Sequence, residues 1–302
     1  MIPVGPLLRS YQLTAAAVRK ARGRRTFNRE KASVPLRRET LAFWSGLDDR
    51  LFAWLDENEG WATIARHTGT AVQKAEFGKA LSEQDKRFIA ELFLRFGGYL
   101  NAEEVARRIL EATSIPTYEA AGQFALGQIG VANAVFELRN ETIRDRILNR
   151  AQTLNYASTR HGSDTLETIV RNFYDLGRNP YDANFVRELK HTIQVKTEWE
   201  ARRFALTETG IVAEIAQHDT FRRNGVGRKR WNIRGINTRP DHQDLEGVEV
   251  MISESFDVGG SMAEHPLDPD LPPDQLVNCR CYLTPVVDET FEIDPRRVWE
   301  GE

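Results

Sequence analysis

The feature that most constrains this chain is a change of period near residue 224. From about Arg38 to Asn224 apolar side chains recur at helical spacing, whereas after Gly225 the sequence breaks into short β-prone pieces joined by Gly, Pro and Asp. A helical period buries one stripe of a segment, while strands of a few residues must pair before they bury anything. The expected class is therefore α+β, with a mainly helical N-terminal domain followed by a small mixed, loop-rich, β-containing C-terminal module. The expected boundaries are a basic N-terminal arm over 1–38, a helical domain over 39–224, the module over 225–290 and an acidic tail over 291–302.

Within the helical part, Trp44, Leu47, Leu51 and Leu55 form one stripe, and Phe88, Ile89, Leu92, Phe93 and Phe96 another. Both read as core. A helix is predicted over Ala102 to Ala112 with Pro116 as its stop, and an Ala- and Gly-rich apolar segment over Tyr118 to Leu138 suits close helix packing. Further helices are predicted over Glu141 to Leu154, Ser163 to Leu176 and Tyr181 to Ile193, with His161-Gly162-Ser163 read as a turn. Thr197 with Glu200 has the spacing of a capping box and predicts a new helix ending at Asn224-Gly225. Strands are predicted over Lys229 to Ile233, Val248 to Ile252 and Cys281 to Val287.

The 302 residues are 41% hydrophobic and 28% charged, too apolar for a chain disordered throughout. No apolar run approaches the roughly 20 residues that span a bilayer. The first residues lack the charged-then-apolar order of a signal peptide, so a cytoplasm or a particle assembled there is the expected location. A net charge of −3 argues against wrapping nucleic acid with the whole surface. A local patch is another matter: Arg19, Lys20, Arg22, Arg24, Arg25, Arg29 and Lys31 crowd the arm, a pattern that suits phosphates, an acidic protein surface or plain solvation.

The chemistry-bearing residues gather near the C-terminus. Arg239, Asp241, His242, Asp244 and Gly247 share one turn-like segment, and both cysteines of the chain lie in Asn278-Cys279-Arg280-Cys281. A His beside carboxylates can do acid–base work, or the same groups can knit a loop through hydrogen bonds. Two thiols one residue apart close too small a ring to staple a fold, but thiolates and imidazoles are the ligands zinc prefers. His242, Cys279 and Cys281 are the candidate metal ligands, with His265 and Asp241 as further partners. A single CxC pair is a weaker zinc signal than paired two-residue-spaced cysteines, and a bend of the backbone at the cysteines is expected if both are to reach one ion. The alternative is a pair of packed thiols beside a polar loop, with no cofactor.

Taken in order, Glu208, Trp231, Arg239, His242, Gly247, Phe256, Pro266, Asp268, Pro269 and Asn278-Cys279-Arg280-Cys281 resemble the C-terminal module of phage head morphogenesis proteins, the Mu F-like minor head proteins, over roughly the last third of the chain. Ala205-Leu206-Thr207-Glu208-Thr209 is similar to a stretch that precedes that module, with Leu206 where the family commonly has arginine. The resemblance implies a non-enzymatic minor capsid protein of a tailed phage or prophage that binds the portal and acts in head assembly and DNA packaging or ejection. It also implies capsid or scaffold proteins and packaged double-stranded DNA as partners, no membrane, and a place in the inner head near the portal after assembly in the host cytoplasm. With about twenty residues after the cysteine motif, no appended effector domain is expected. A nuclease or other phosphodiester hydrolase using His242, Arg239 and Glu208 is the alternative, and a zinc-stabilised nucleic-acid-binding module a third reading.

Overall fold

The computed structural model describes residues 26–69, 81–96, 102–131, 136, 138, 141–176, 183–235 and 237–287. Arg19, Lys20, Arg22, Arg24, Arg25 and the acidic tail lie outside them. The protein is α+β, mainly helical, with its small antiparallel sheets confined to the C-terminal region. In chain order the elements are α1 (Arg29–Ala32), α2 (Val34–Glu57), α3 (Gly60–Gly69), α4 (Glu83–Arg95), α5 (Ala102–Gln128), α6 (Glu141–Leu148), α7 (Ala151–Leu176), α8 (Ala183–Arg223), β1 (Arg228–Asn232), α9 (Pro240–Gln243), β2 (Glu249–Met251), β3 (Phe256–Val258), β4 (Ser261–Ala263), α10 (Pro273–Leu276) and β5 (Tyr282–Val286).

These elements form two compact units that are discontinuous in sequence. One comprises 37–109 and 149–202; the other comprises 1–36, 110–148 and 203–302. This division differs from the sequential boundary expected at 224/225. The physical reason lies in the core of the second unit, where Val212, Ala216 and Phe221 of α8 and Tyr118, Ala121 and Ala125 of α5 join Trp231, Phe256, Val258 and Leu283 of the strands. Sheets this small have too little apolar surface of their own, and the helix residues supply the rest.

Among the described residues the first unit has only helices as regular elements. Leu51, Phe52 and Leu55 of α2 pack with Trp61, Ile64, Ile89, Leu92, Leu166, Val170, Phe173 and Phe185, as the predicted stripes require. Ser82 caps α4 in a capping box with Asp85. At the polar heart of this unit, buried His161 stacks on Trp44 at 4.9 Å between ring centroids. Its Nδ1 lies 3.0 Å from Glu200 and its Nε2 3.1 Å from Asp48, which also accepts from Thr165 and Thr197. Burial alone would lower the His161 pKa, but the hydrogen bonds to Asp48 and Glu200 outweigh it and raise it to about 9. His161 is thus an imidazolium held between two carboxylates.

That network explains two corrections. The predicted turn at His161-Gly162-Ser163 is absent, because α7 runs unbroken through it with His161 pinned on both ring nitrogens. Thr197 does not begin a helix either. It sits inside α8 with its hydroxyl proton shared between Asp48 and the Ile193 carbonyl, each 2.9 Å away, while Glu200 turns to His161. Pro116 likewise fails to stop α5, which continues to Gln128. A proline inside a helix removes one backbone hydrogen bond at a cost of about 3 kcal/mol. Buried packing on the same turns, where Tyr118, Ala121 and Ala125 enter the core, offsets it.

In the second unit β1 is the central strand of a three-stranded antiparallel sheet, order β2-β1-β5, with Trp231 opposite Leu283. All three match predicted strands to within one or two residues. A hairpin that the sequence reading did not include, β3–β4, turns through Gly259 and Gly260, whose φ values of +61° and +88° are those of a tight hairpin turn.

Candidate functional site

All the residues of the site belong to the second unit. Arg239 precedes the short helix α9, which opens on Pro240 and carries Asp241 and His242; the turn ends as the Gly247 amide donates to the Trp231 carbonyl, 2.9 Å, with Gly247 at φ +77°. Asp244, at the end of α9, is exposed. The second segment enters through α10. Val277 and Asn278, the latter at φ +63°, form a turn closed by the Cys279 amide donating to the Leu276 carbonyl, 3.0 Å, and Cys279-Arg280-Cys281 follows it as irregular backbone ahead of β5. The bend expected at the cysteines thus lies just before them. Asn278 and Arg280 are exposed on its outer side, while Cys279 and Cys281 are buried free thiols.

His242, Cys279 and Cys281 converge, their ligand atoms all within 4.8 Å of one another. Nδ1 of His242 lies 3.4 Å from Cys281 Sγ and 3.5 Å from Cys279 Sγ. The other ring nitrogen, Nε2, is 2.9 Å from Gln275 Oε1, and Gln275 Nε2 donates to Asp241 Oδ2 at 3.0 Å. The carboxylate of Asp241 can only accept, which fixes the amide orientation of Gln275 and makes Oε1 the acceptor for His242 Nε2–H. In the neutral imidazole Nδ1 then carries the lone pair, directed at the two sulfurs.

The surroundings are built from core and from buried charge. Trp231 packs edge-on against both His242, at 5.6 Å, and Phe256, at 5.2 Å. Its buried indole N–H has no hydrogen-bond partner of ordinary geometry but faces Cys281 closely enough to favour a thiolate there. Hydrogen bonding with Cys281 pulls the Cys279 thiol well down, against burial and with help from His242; the same shared proton pushes Cys281 up. Arg239 donates to the Val277 carbonyl just before the cysteine turn.

Arg29 is a correction to the basic arm. It is no free cation for DNA: its guanidinium pairs with Glu214 and donates to the Cys281 carbonyl at 2.7 Å. Lys31 of the same arm is exposed. Glu214 is fully buried on α8 and accepts from the Leu283 amide at 2.8 Å. Burial lifts its carboxyl to about 7, with Arg29 and the Leu283 amide pulling the other way. Arg29, Glu214 and Cys279 line a cleft of about 100 Å³ together with Arg234, Asn278 and Arg280. Glu208, also on α8, is buried.

His265, a candidate ligand, is elsewhere. It is buried near His218, ring centroids 5.5 Å apart, and its Nδ1 lies 3.0 Å from the Pro266 carbonyl. His218 in turn contacts Lys229 Nζ at 3.2 Å, and Lys229 donates to the carbonyls of Ile252 and Glu264. Burial lowers both histidines to about 3 and Lys229 to about 8. This group ties β1 to the loops around β3–β4. The sequence reading missed Gln275 and Glu214, and it took Lys229, with its neighbours Arg228 and Arg230, for a contact to DNA or an acidic portal surface, which the burial of Lys229 corrects. Strand alternation, which buries Lys229 and Trp231 on one face, was the signal for it.

The chain is similar to "Uncharacterized protein YqbB" of Bacillus subtilis (strain 168), with 33% identity over 131 residues, 41% of this chain and 42% of that protein. It thus spans less than half the length of that relative. No family model and no solved structure matches.

Proposed function

We propose that this chain is a minor capsid, head morphogenesis protein of a tailed phage or prophage, which binds the portal and acts in head assembly and in DNA packaging or ejection. The observation that supports this reading is that the motifs resembling the Mu F-like module form one packed structure. Trp231, Phe256 and Cys281 share a core, His242 packs on Trp231, and Arg239 clamps the turn that carries the cysteines. Motifs scattered by chance over some 75 residues have no reason to meet. Their role in this reading is to hold a shape. The exposed Arg234 and Arg280 beside the cleft offer a surface to an acidic protein or to phosphates.

Hydrolysis of a phosphodiester through His242 and Arg239 asks both side chains to reach a phosphate. Both ring nitrogens of His242 are engaged and the residue is buried, and Arg239 is committed to a backbone carbonyl. The test is direct. Full-length tagged protein expressed from the genome that encodes it should co-purify with the portal and sediment with assembled heads. Its absence from heads and from portal complexes, or DNA cleavage by the purified protein that His242→Ala abolishes, would overturn the proposal.

A further inference from the structure

We propose that His242, Cys279 and Cys281 hold a zinc ion, with Gln275 and Asp241 as the outer shell that orients the histidine. The case rests on distances. Zinc ligated tetrahedrally at about 2.3 Å to sulfur and 2.0–2.1 Å to nitrogen places its sulfur and nitrogen ligands about 3.6 Å apart. The two observed separations between His242 Nδ1 and the sulfurs are 3.4 and 3.5 Å. Two sides of the ligand triangle thus match, and the third, between the sulfurs, is no longer than 4.8 Å.

The outer shell makes the same point independently. Metal-bound histidines donate their second ring N–H to a fixed acceptor, which sets the tautomer and the ring plane. Gln275 Oε1 is that acceptor at 2.9 Å, and Asp241 fixes Gln275 in turn. The indole N–H of Trp231, buried and otherwise unpartnered, faces Cys281, where a metal-bound thiolate would take its hydrogen bond. Charge also balances: a divalent ion with two thiolates and a neutral imidazole sums to zero, which suits a buried site. Sulfur and imidazole together favour zinc over magnesium or calcium, which take oxygen ligands.

Among the described residues no fourth side chain joins the three. The remaining position of a tetrahedral ion therefore goes to water, and a cleft lies on the Cys279 side of the site. The stabilising effect follows from the chain path. The ligands come from segments 37 and 39 residues apart, so one ion closes the loop that contains β2, β3, β4 and α10.

The experiment uses the full chain, purified with its thiols reduced. Elemental analysis should find zinc stoichiometric with protein. Chelation followed by cobalt(II) should give the intense visible bands of a tetrahedral ion and sulfur-to-cobalt charge transfer. Cys279→Ser and Cys281→Ser should abolish both signals. Because those variants can fail to fold, Gln275→Leu is the second arm: it should keep the far-UV circular dichroism of the parent and weaken zinc binding about 10–100-fold. A protein whose two thiols both titrate freely and which takes up neither zinc nor cobalt would overturn the proposal. So would zinc that survives both cysteine substitutions, or iron or copper in its place. None of these outcomes depends on whether the protein binds a portal.

Discussion

Asp241 leaves no room for a side chain on Gly259. A Cβ there would lie 2.6 Å from Asp241 Oδ2, and the glycine's φ of +61° is one that other residues adopt only with strain. The hairpin turn and the outer shell of the cysteine–histidine cluster are therefore in contact through a missing side chain. Gly259→Ala should destabilise the second unit by about 1–3 kcal/mol, because the Asp241 carboxylate must shift as well as the backbone strain. Gly260→Ala, with φ +88° and open space around it, should cost less. Urea denaturation of the two variants side by side checks the order; equal losses would remove the Asp241 contact from the explanation.

Removing Arg29 should leave Glu214 buried without its cation. For a broken buried pair the loss is about 3–5 kcal/mol. Arg29→Ala is expected to fall in that range, and adding Glu214→Gln should recover part of it, since a neutral amide keeps an acceptor for Leu283 without the buried charge. Thermal melts of the single and double variants provide the comparison. A double variant no more stable than Arg29→Ala would show that the charge of Glu214 is not the penalty.

The buried His161 makes the first unit sensitive to alkali. Its pKa in the folded protein, about 9, lies above the ordinary value of 6.5, so the protonated form is bound more tightly when folded. That contribution is fully present below about pH 6.5 and is lost as pH rises through about 9, with a total of about 3 kcal/mol. Amide hydrogen exchange at Leu166 to Phe173, corrected for its intrinsic pH dependence, should show protection falling across this window. In His161→Gln the slope should disappear even though the variant is less stable throughout.

If the arm touches DNA, Arg24→Glu with Arg25→Glu should weaken binding to a duplex at least tenfold, about 1.4 kcal/mol, and flatten its salt dependence. Arg29 must be left out of that set, because its reversal would break the Glu214 pair and confuse unfolding with lost contact. Binding measured from low to moderate salt decides the matter. Affinity that neither changes nor responds to salt would leave the arm to a protein partner or to solvent.

Much of the architecture was legible because it follows from period. The stripes Trp44 to Leu55 and Phe88 to Phe96, and the three strands of the sheet, are local patterns that burial then respected. What could not be read locally was overridden from a distance. Thr197 and His161 carry signals for a cap and a turn, but Asp48, 149 and 113 positions away, holds both inside helices. At the site, Asp241, His242, Cys279 and Cys281 stood out by type and spacing. Gln275 and Glu214 did not, since nothing in their neighbourhoods distinguishes them from surface residues, and Arg29 stood out only as one of the arm's cations; their roles exist only once α8, α10 and β5 have met.

Arg29 donates to the carbonyl of Cys281 across 252 positions of chain. At a synthesis rate of about 5–20 residues per second, the ribosome takes roughly 10–50 s to pass from one to the other. Glu214 is made 69 positions before Leu283, so for roughly the last 3–14 s of that time it has neither the Leu283 amide nor a finished β5 beside it, and the small sheet lacks one of its two edges. The second unit can only close when its last strand emerges. A nascent chain stalled before Cys281 would therefore hold a completed set of helices over an open apolar face, the form in which a chaperone would find it.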